Sequence, residues 1–370
     1  MKRLLFVLSV FAASAVTLFA QELPKSIKAG QGRLKARRTI HMPEKIGGYQ
    51  LLKCDFHMHT IFSDGIVWPS LRIDEAWEEG LDAIAITEHI EGQPSRRGIE
   101  KGDHNLAYEI AAKDAARRNL ILIRGAEITR LMPPGHLNAL FVKDINALTH
   151  TDYMKVFEEA VKQGAFIFWN HPGWGVDSIR WYPVHETLYR NGWLHGIEVF
   201  NEFEWYPVAL NWTIDKDLAI IGNTDVHDVN ERLYDFSPSF IRPMTLVLSR
   251  DRTEEGIREA LFAKRTFIYF FDTLIGKEEY LQEFFGETVE IRPSFHNENG
   301  RKMLEIANLS DVPYRLERLD ASPAYPEELF LPAGRTIVVS VPDKEQAGIV
   351  YKVGNMLTGV DKYLNVRLDF

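Results

Sequence analysis

Between residues 51 and 227 seven short apolar runs recur: LLKCDFHMH, DAIAITEH, LILIRGAEI, HLNALFV, AFIFWNH, GIEVFN and LAIIGNTDVH. Several are separated by stretches with helical spacing. Ile73, Ala76, Trp77 and Gly80 fall at i, i+3, i+4 and i+7, and Tyr153, Val156, Phe157, Ala160 and Val161 repeat the pattern before Gly164 stops it. Apolar strands alternating with amphipathic helices predict an α/β protein, a parallel sheet with helices outside. Seven such units without a glycine-rich nucleotide loop favour a closed barrel over an open, doubly wound sheet. The stretch 253–270 reads as the last helix and strand. After it the texture changes to VEIRPSF, KMLEIANLS, RTIVVSV and YLNVRLDF, which predicts a small β-rich C-terminal domain over 284–370.

The amino terminus carries no such rhythm. Lys2 and Arg3 precede an apolar run over residues 4–13 and small residues up to Ala20, the pattern of a secretory signal peptide over 1–20. Its apolar core is short for a membrane span, so no span is expected after its removal. Residues 21–50 form a polar, basic lead-in to a barrel over 51–283. The formal charge of −9 becomes −11 without Lys2 and Arg3. That balance argues against long nucleic acids as partners, because phosphate backbones need a positive surface. Cys54 is the only cysteine, so no intrachain disulfide can form, and its apolar surroundings mark it as a core residue. Export to the periplasm or medium is the expected location.

The ends of the apolar runs are chemically unusual. Asp55, His57 and His59 alternate, which in a strand places them on one face, and Asp64 follows after a short turn. Glu88 and His89 end the second run and Glu127 the third; His136 opens the fourth, His171 ends the fifth, and Asp225 and His227 end the seventh. In a barrel such positions collect at one mouth. One histidine at a strand end is more often structural than a ligand, and Glu88 or Glu198 alone suits a helix start or ion pair. Six histidines so placed, seven if His104 joins, point to several bound metals. Imidazole and carboxylate without thiolate suit zinc, manganese or iron.

The ordered segments HMH with Asp64, TEH (87–89), GAE (125–127), GHLN (135–138), NHPG (170–173) and TDVH (224–227) resemble those of the polymerase and histidinol phosphatase (PHP) family. The resemblance runs from about residue 51 to 270. It implies a distorted seven-stranded (β/α) barrel holding two or three divalent ions. By that likeness His57, His59, Glu127 and Asp225 hold a first metal, and Glu127 bridges to a second completed by His136 and His171. Asp64, which is His in some relatives, joins His89 and His227 around a third. The export signal and β-rich tail are most similar to an exported bacterial phosphodiesterase branch.

These readings imply a hydrolase of small organic phosphodiesters. A hydroxide bridging two metals through Glu127 would attack phosphorus, and Asp225 or a neighbouring histidine would relay the proton. Arg96, Arg97, Lys101 and His104 in the loop after His89, together with Arg180, are candidate substrate contacts. Asp55 is a candidate carboxylate orienting a ligand from behind. The alternatives are a phosphomonoesterase on the same site, a metal amidohydrolase, and a protein that binds metal without catalysis.

Overall fold

The computed structural model describes residues 36–92, 102–234, 240–343 and 348–370. Seven strands carry the ring: β1 (Tyr49–Asp55), β2 (Ala83–Ile86), β3 (Ile121–Thr129), β4 (His136–Leu140), β5 (Phe166–Trp169), β6 (Gly196–Asn201) and β7 (Ala219–Asn223). Strands β2, β5, β6 and β7 are buried at every position, as strands packed on both faces must be. Helices α1 (Pro69–Glu78), α2 (Leu106–Arg118), α3 (Tyr153–Lys162), α4 (Pro183–Arg190) and α5 (Pro207–Asp215) lie between them in sequence. The periodic residues face inward: Ile73 and Ala76 of α1, and Val156, Phe157 and Ala160 of α3, are buried. Asp152 caps α3 by accepting from the Met154 amide, and Gly164 follows its end with φ +82°.

The ring is mixed rather than all parallel. β1, β2 and β3 run parallel, and so do β5, β6 and β7. β4 is antiparallel to both β3 and β5, because only the short segment 130–135 joins β3 to β4 and a parallel crossover needs a longer connection. The ring closes beyond the strands. β1 ends at Asp55, so His57 and His59 lie past it, where the expected single strand face gives way to an irregular seam. There Met58 bridges Val226, the Asp225 amide donates to the His57 carbonyl (2.9 Å), and the His59 amide donates to the Val226 carbonyl (3.0 Å). The Phe56 amide donates to Asn223 Oδ1 (2.8 Å).

On the other edge of β1 the sheet continues antiparallel through β8 (Met244–Ser249), β9 (Thr266–Phe270) and β10 (Thr273–Ile275). Helix α6 (Glu254–Phe262) and β9 are the helix and strand read over 253–270; they flank the ring instead of completing it. The boundary drawn at 284 falls inside α7 (Glu278–Thr288), whose Leu281, Phe284 and Phe285 are buried, and the C-terminal strands begin at Val289. Val289–Glu298, Arg301–Asn308 and Thr336–Pro342 form one antiparallel sheet. The facing layer is built from Tyr314–Arg318, Glu328–Leu331, Ile349–Gly359 and Lys362–Leu368.

Candidate metal centre

The seam and the strand ends bring together all nine residues expected as ligands. Glu127, near the end of β3 and fully buried, is the hub. Its carboxylate lies 3.5 Å from His57 Nε2, 3.6 Å from His59 Nε2, 2.5 Å from His89 Nδ1, 3.0 Å from His136 Nδ1 and 3.5 Å from His171 Nε2. Asp225 Oδ1 stands 3.1 Å from both His57 Nε2 and His59 Nε2. Asp64 reaches His89 Nε2 and His227 Nε2, each at 3.2 Å. Four overlapping groups have one ligand atom per residue within 4.8 Å of all the others: His59, Asp64, His89 and His227; His57, His171 and Asp225; His57, His59 and Glu127; His89, Glu127 and His136.

The atoms turned inward are the informative ones. His57 Nε2, His59 Nε2, Glu127 Oε2 and Asp225 Oδ1 are buried and make no hydrogen bond of good geometry, although they crowd one another and His89 at 2.5–3.6 Å. Each such atom costs about 1–3 kcal/mol unless something else satisfies it. Four converging on one space is the donor set of a cation. The far side of three rings is pinned. His57 Nδ1–H donates to Glu198 Oε1 (2.9 Å), His59 Nδ1 lies 3.2 Å from Ser63 Oγ, and His227 Nδ1–H donates to the Asp225 carbonyl (2.7 Å). Fixing Nδ1 leaves Nε2 facing the centre. Two donor residues also hold backbone strain, His171 at φ +24° and Asp225 at φ +52°, the kind of cost that clusters at functional sites.

The charges fit a cation as well. Burial alone would raise the Glu127 carboxyl, but His89 and His57 beside it hold it well below the usual range. Asp225 and Asp64 are likewise lowered: burial opposes the shift, and neighbouring histidines outweigh it. Burial pulls His59 down to about 3, so it offers a neutral ring. His89 rises to about 10, because Glu127 and Asp64 overcome its burial.

Of the other expected residues, Asp55, His104 and Arg180 are described. Asp55 is buried behind the seam, where it accepts from the His57 amide (3.3 Å), the Thr224 side chain and Arg242. It therefore shapes the backbone on both sides of the seam, at His57 and at Thr224. His104 precedes α2, its amide donating to Asn146 Oδ1 (2.8 Å), and it does not line the cleft. Arg180 is exposed, with Nε donating to Ser178 Oγ (2.8 Å), and it is not among the residues that line the cleft. Arg96, Arg97 and Lys101 lie outside the described residues.

Four further residues position the site: Glu88 and Glu198, which the sequence offers only as helix-start or ion-pair carboxylates, and Arg72 and Asn170, to which it gives no role. Glu198 also accepts from the His171 amide (2.9 Å), Asn201 (2.8 Å) and Asn223 (2.8 Å). Its signal was a carboxylate inside the apolar run GIEVFN. Arg72, fully buried on α1, donates to the carbonyls of His59 (2.9 Å), Val226 (3.0 Å) and Asp228 (2.8 Å), so one guanidinium ties both sides of the seam. Glu88 accepts from Thr60 and Ser63 behind His59. Asn170 Nδ2 donates to Glu127 Oε1 (2.9 Å). Above the ligands opens a cleft of about 680 Å³ with Arg130, Leu131, Met132 and Trp174 on its wall.

A barrel whose strand ends gather imidazoles and carboxylates around one carboxylate hub defines a metal-dependent hydrolase class. Comparison with known proteins narrows this. A family model described as an Ig-like domain matches residues 289–369. No curated protein matches the chain. A solved two-domain structure from Bacteroides vulgatus, containing a predicted PHP-like metal-dependent phosphoesterase, is 40% identical with a TM-score of 0.85, covering 90% of this chain and 99% of its own. A protein described as a metal-dependent phosphoesterase from Bifidobacterium adolescentis and an amidohydrolase from Chromobacterium violaceum are more distant. Each has 15% identity, a TM-score of 0.38 and 50% coverage of this chain, with 89% and 92% of their own. The chain belongs to the family of PHP-like metal-dependent phosphoesterases, with an Ig-like C-terminal domain.

Proposed function

We propose that the protein hydrolyses small organic phosphodiesters at a centre of two or three divalent ions. The observation that carries this reading is Glu127, one buried carboxylate within 3.6 Å of five imidazoles. His57, His59, Glu127 and Asp225 would hold one ion; Glu127, His136 and His171 a second; Asp64, His89 and His227 a third. Bound there, zinc, manganese or iron would make water acidic enough to attack at neutral pH and would polarise the phosphoryl oxygens. Water oxygen bonds to phosphorus, the ester P–O bond breaks, and the departing alkoxide takes up a proton. Asp225 borders the cleft, and we place that proton transfer on its carboxylate. Glu198 keeps the His57 proton on Nδ1, and the buried Asn170 orients Glu127.

We take a diester over a monoester from the likeness of the export signal and β-rich tail to an exported phosphodiesterase branch, and one cation is described at the cleft. Arg130 is the only arginine or lysine among the described residues lining it. Its Nη2 is committed to Glu91 Oε1 (2.7 Å) and the His150 carbonyl (2.7 Å). Among the described residues no helix is long and apolar enough to cross a membrane. The amino-terminal run 4–13 and the Ig-like domain support export.

The test is turnover of bis(4-nitrophenyl) phosphate beside 4-nitrophenyl phosphate by metal-analysed protein, with His171→Ala in parallel. Diester turnover lost in the variant is expected. A monoester preference would replace the reading with phosphatase activity. Bound metal without cleavage of either ester would send the search to amides and lactones.

A further inference from the structure

The cleft wall carries apolar surface that folding does not use. Trp174 is 63% exposed and Leu131 92% exposed, although both line a concave site instead of standing singly on the outer surface. The Trp174 amide donates to the His171 carbonyl (2.9 Å), a tight turn that holds the indole beside the ligands. Its ring centroid lies 5.1 Å from that of His136 and 5.7 Å from that of His171. Met132 completes the wall and is itself braced, because a side chain at Gly135 would stand 2.6 Å from Met132 Cε. Exposed apolar surface rimmed by polar groups, next to a reactive centre, marks a recognition surface.

Resting on the phosphodiester reading, we infer that Trp174, with Leu131 and Met132, seats a flat aromatic ester group of the substrate while its phosphate faces the histidine and carboxylate cluster. Proximity selects this occupant. Anything stacked on Trp174 sits within one ring's width of His136 and His171, both donors of the centre. A cleft of about 680 Å³ suits one small molecule and is too confined for a protein surface. The group that stacks is the ester that stays on phosphorus. Stacking removes apolar surface from water on both partners.

The test holds the leaving group constant. Metal-loaded full-length protein is assayed on 4-nitrophenyl phenyl phosphate and 4-nitrophenyl methyl phosphate, and kcat/KM is compared. Calorimetric binding of diphenyl phosphate and dimethyl phosphate is measured alongside. Wild type is expected to prefer the phenyl ligands by about tenfold or more, the scale of one stacked ring. Trp174→Ala should collapse that preference toward one, whereas Trp174→Phe should keep most of it. Equal handling of phenyl and methyl esters by wild type, or a preference that survives Trp174→Ala, would overturn the inference and leave hydrolysis standing. Diphenyl phosphate bound selectively through Trp174, with no ester cut, would support the aromatic seat and sink the hydrolytic reading. Neither binding nor cleavage would remove both.

Discussion

Glu198 is the residue on which the ligand geometry leans most while touching no inward-facing donor atom except through His57. It lies in β6 with every neighbour buried, accepts from His57 Nδ1, and also receives the His171 amide, so it locates two ligands at once. Glu198→Gln keeps its volume, but only one of its two ends can accept, so either the His57 ring or the His171 amide loses its acceptor. Metal affinity is expected to fall about 10–100-fold with little change in Tm, as for other residues behind a ligand. Metal titration by calorimetry beside thermal unfolding checks it. Unchanged affinity would refute the role. The contrast with Arg72 shows what was legible. A carboxylate in GIEVFN stands out against an apolar run, whereas Arg72 in PSLRIDEAW looks like an ordinary solvent-facing helix residue. Only the tertiary fold buries it against carbonyls more than 150 residues away.

At the scale of elements, the turn after the HMH segment and helix α4 each admit a direct test. Gly65 closes the turn that presents Asp64, and a Cβ there would stand 2.7 Å from the His59 carbonyl carbon and 2.8 Å from the Thr60 nitrogen. Those are backbone atoms of the ligand segment, which a rotamer change cannot relieve. Gly65→Ala should cost about 1–3 kcal/mol and reduce the number of ions bound per chain. Urea unfolding with elemental analysis reads both; a fully loaded variant of normal stability would contradict the turn's role. In α4, His185 is buried, stacks 3.7 Å from Trp169 and donates from Nε2 to the Pro134 carbonyl (2.7 Å). Burial lowers its pKa from 6.5 to about 4. The unfolded chain therefore takes up a proton below pH 6.5 that the folded one refuses. This stability is complete above pH 6.5 and drains away as pH falls toward 4, by up to about 3 kcal/mol. His185→Gln retains a donor for Pro134 without a titrating ring. The stability gap between wild type and variant should shrink between pH 7 and pH 4, and a constant gap would exclude the mechanism. The strand positions were legible from apolar runs. The reversal of β4 was not, because strand direction depends on connection geometry more than on the residues of the strand.

For the whole molecule, the change in composition near residue 284 made a second domain visible, yet nothing local showed how firmly it is joined. The junction is a shared sheet. β10 pairs parallel with Ile349–Gly359 through Leu274 with Met356 and Ile275 with Leu357, and the Gly276 amide donates to the Leu357 carbonyl (3.1 Å). Asn355 Nδ2 donates to the carbonyls of Asp272 (2.5 Å) and Pro313 (2.7 Å). One apolar cluster also spans both parts, with Leu274, Leu281 and Phe284 packed in the same core as Leu304, Tyr314 and Met356. Domains within a chain usually meet through smaller, more polar contacts and move independently. Here separation would expose a sheet edge and core side chains together, so the two parts should unfold as one. Calorimetry of the full chain is expected to give a single transition, with near-UV dichroism and metal release at the same temperature. A chain ending at Thr288 leaves β10 as an open edge beside the exposed apolar face of α7, and it should aggregate on expression. Two resolved transitions, or a soluble truncated barrel that still binds its metals, would mean that the C-terminal domain is an attachment and not part of the barrel's fold.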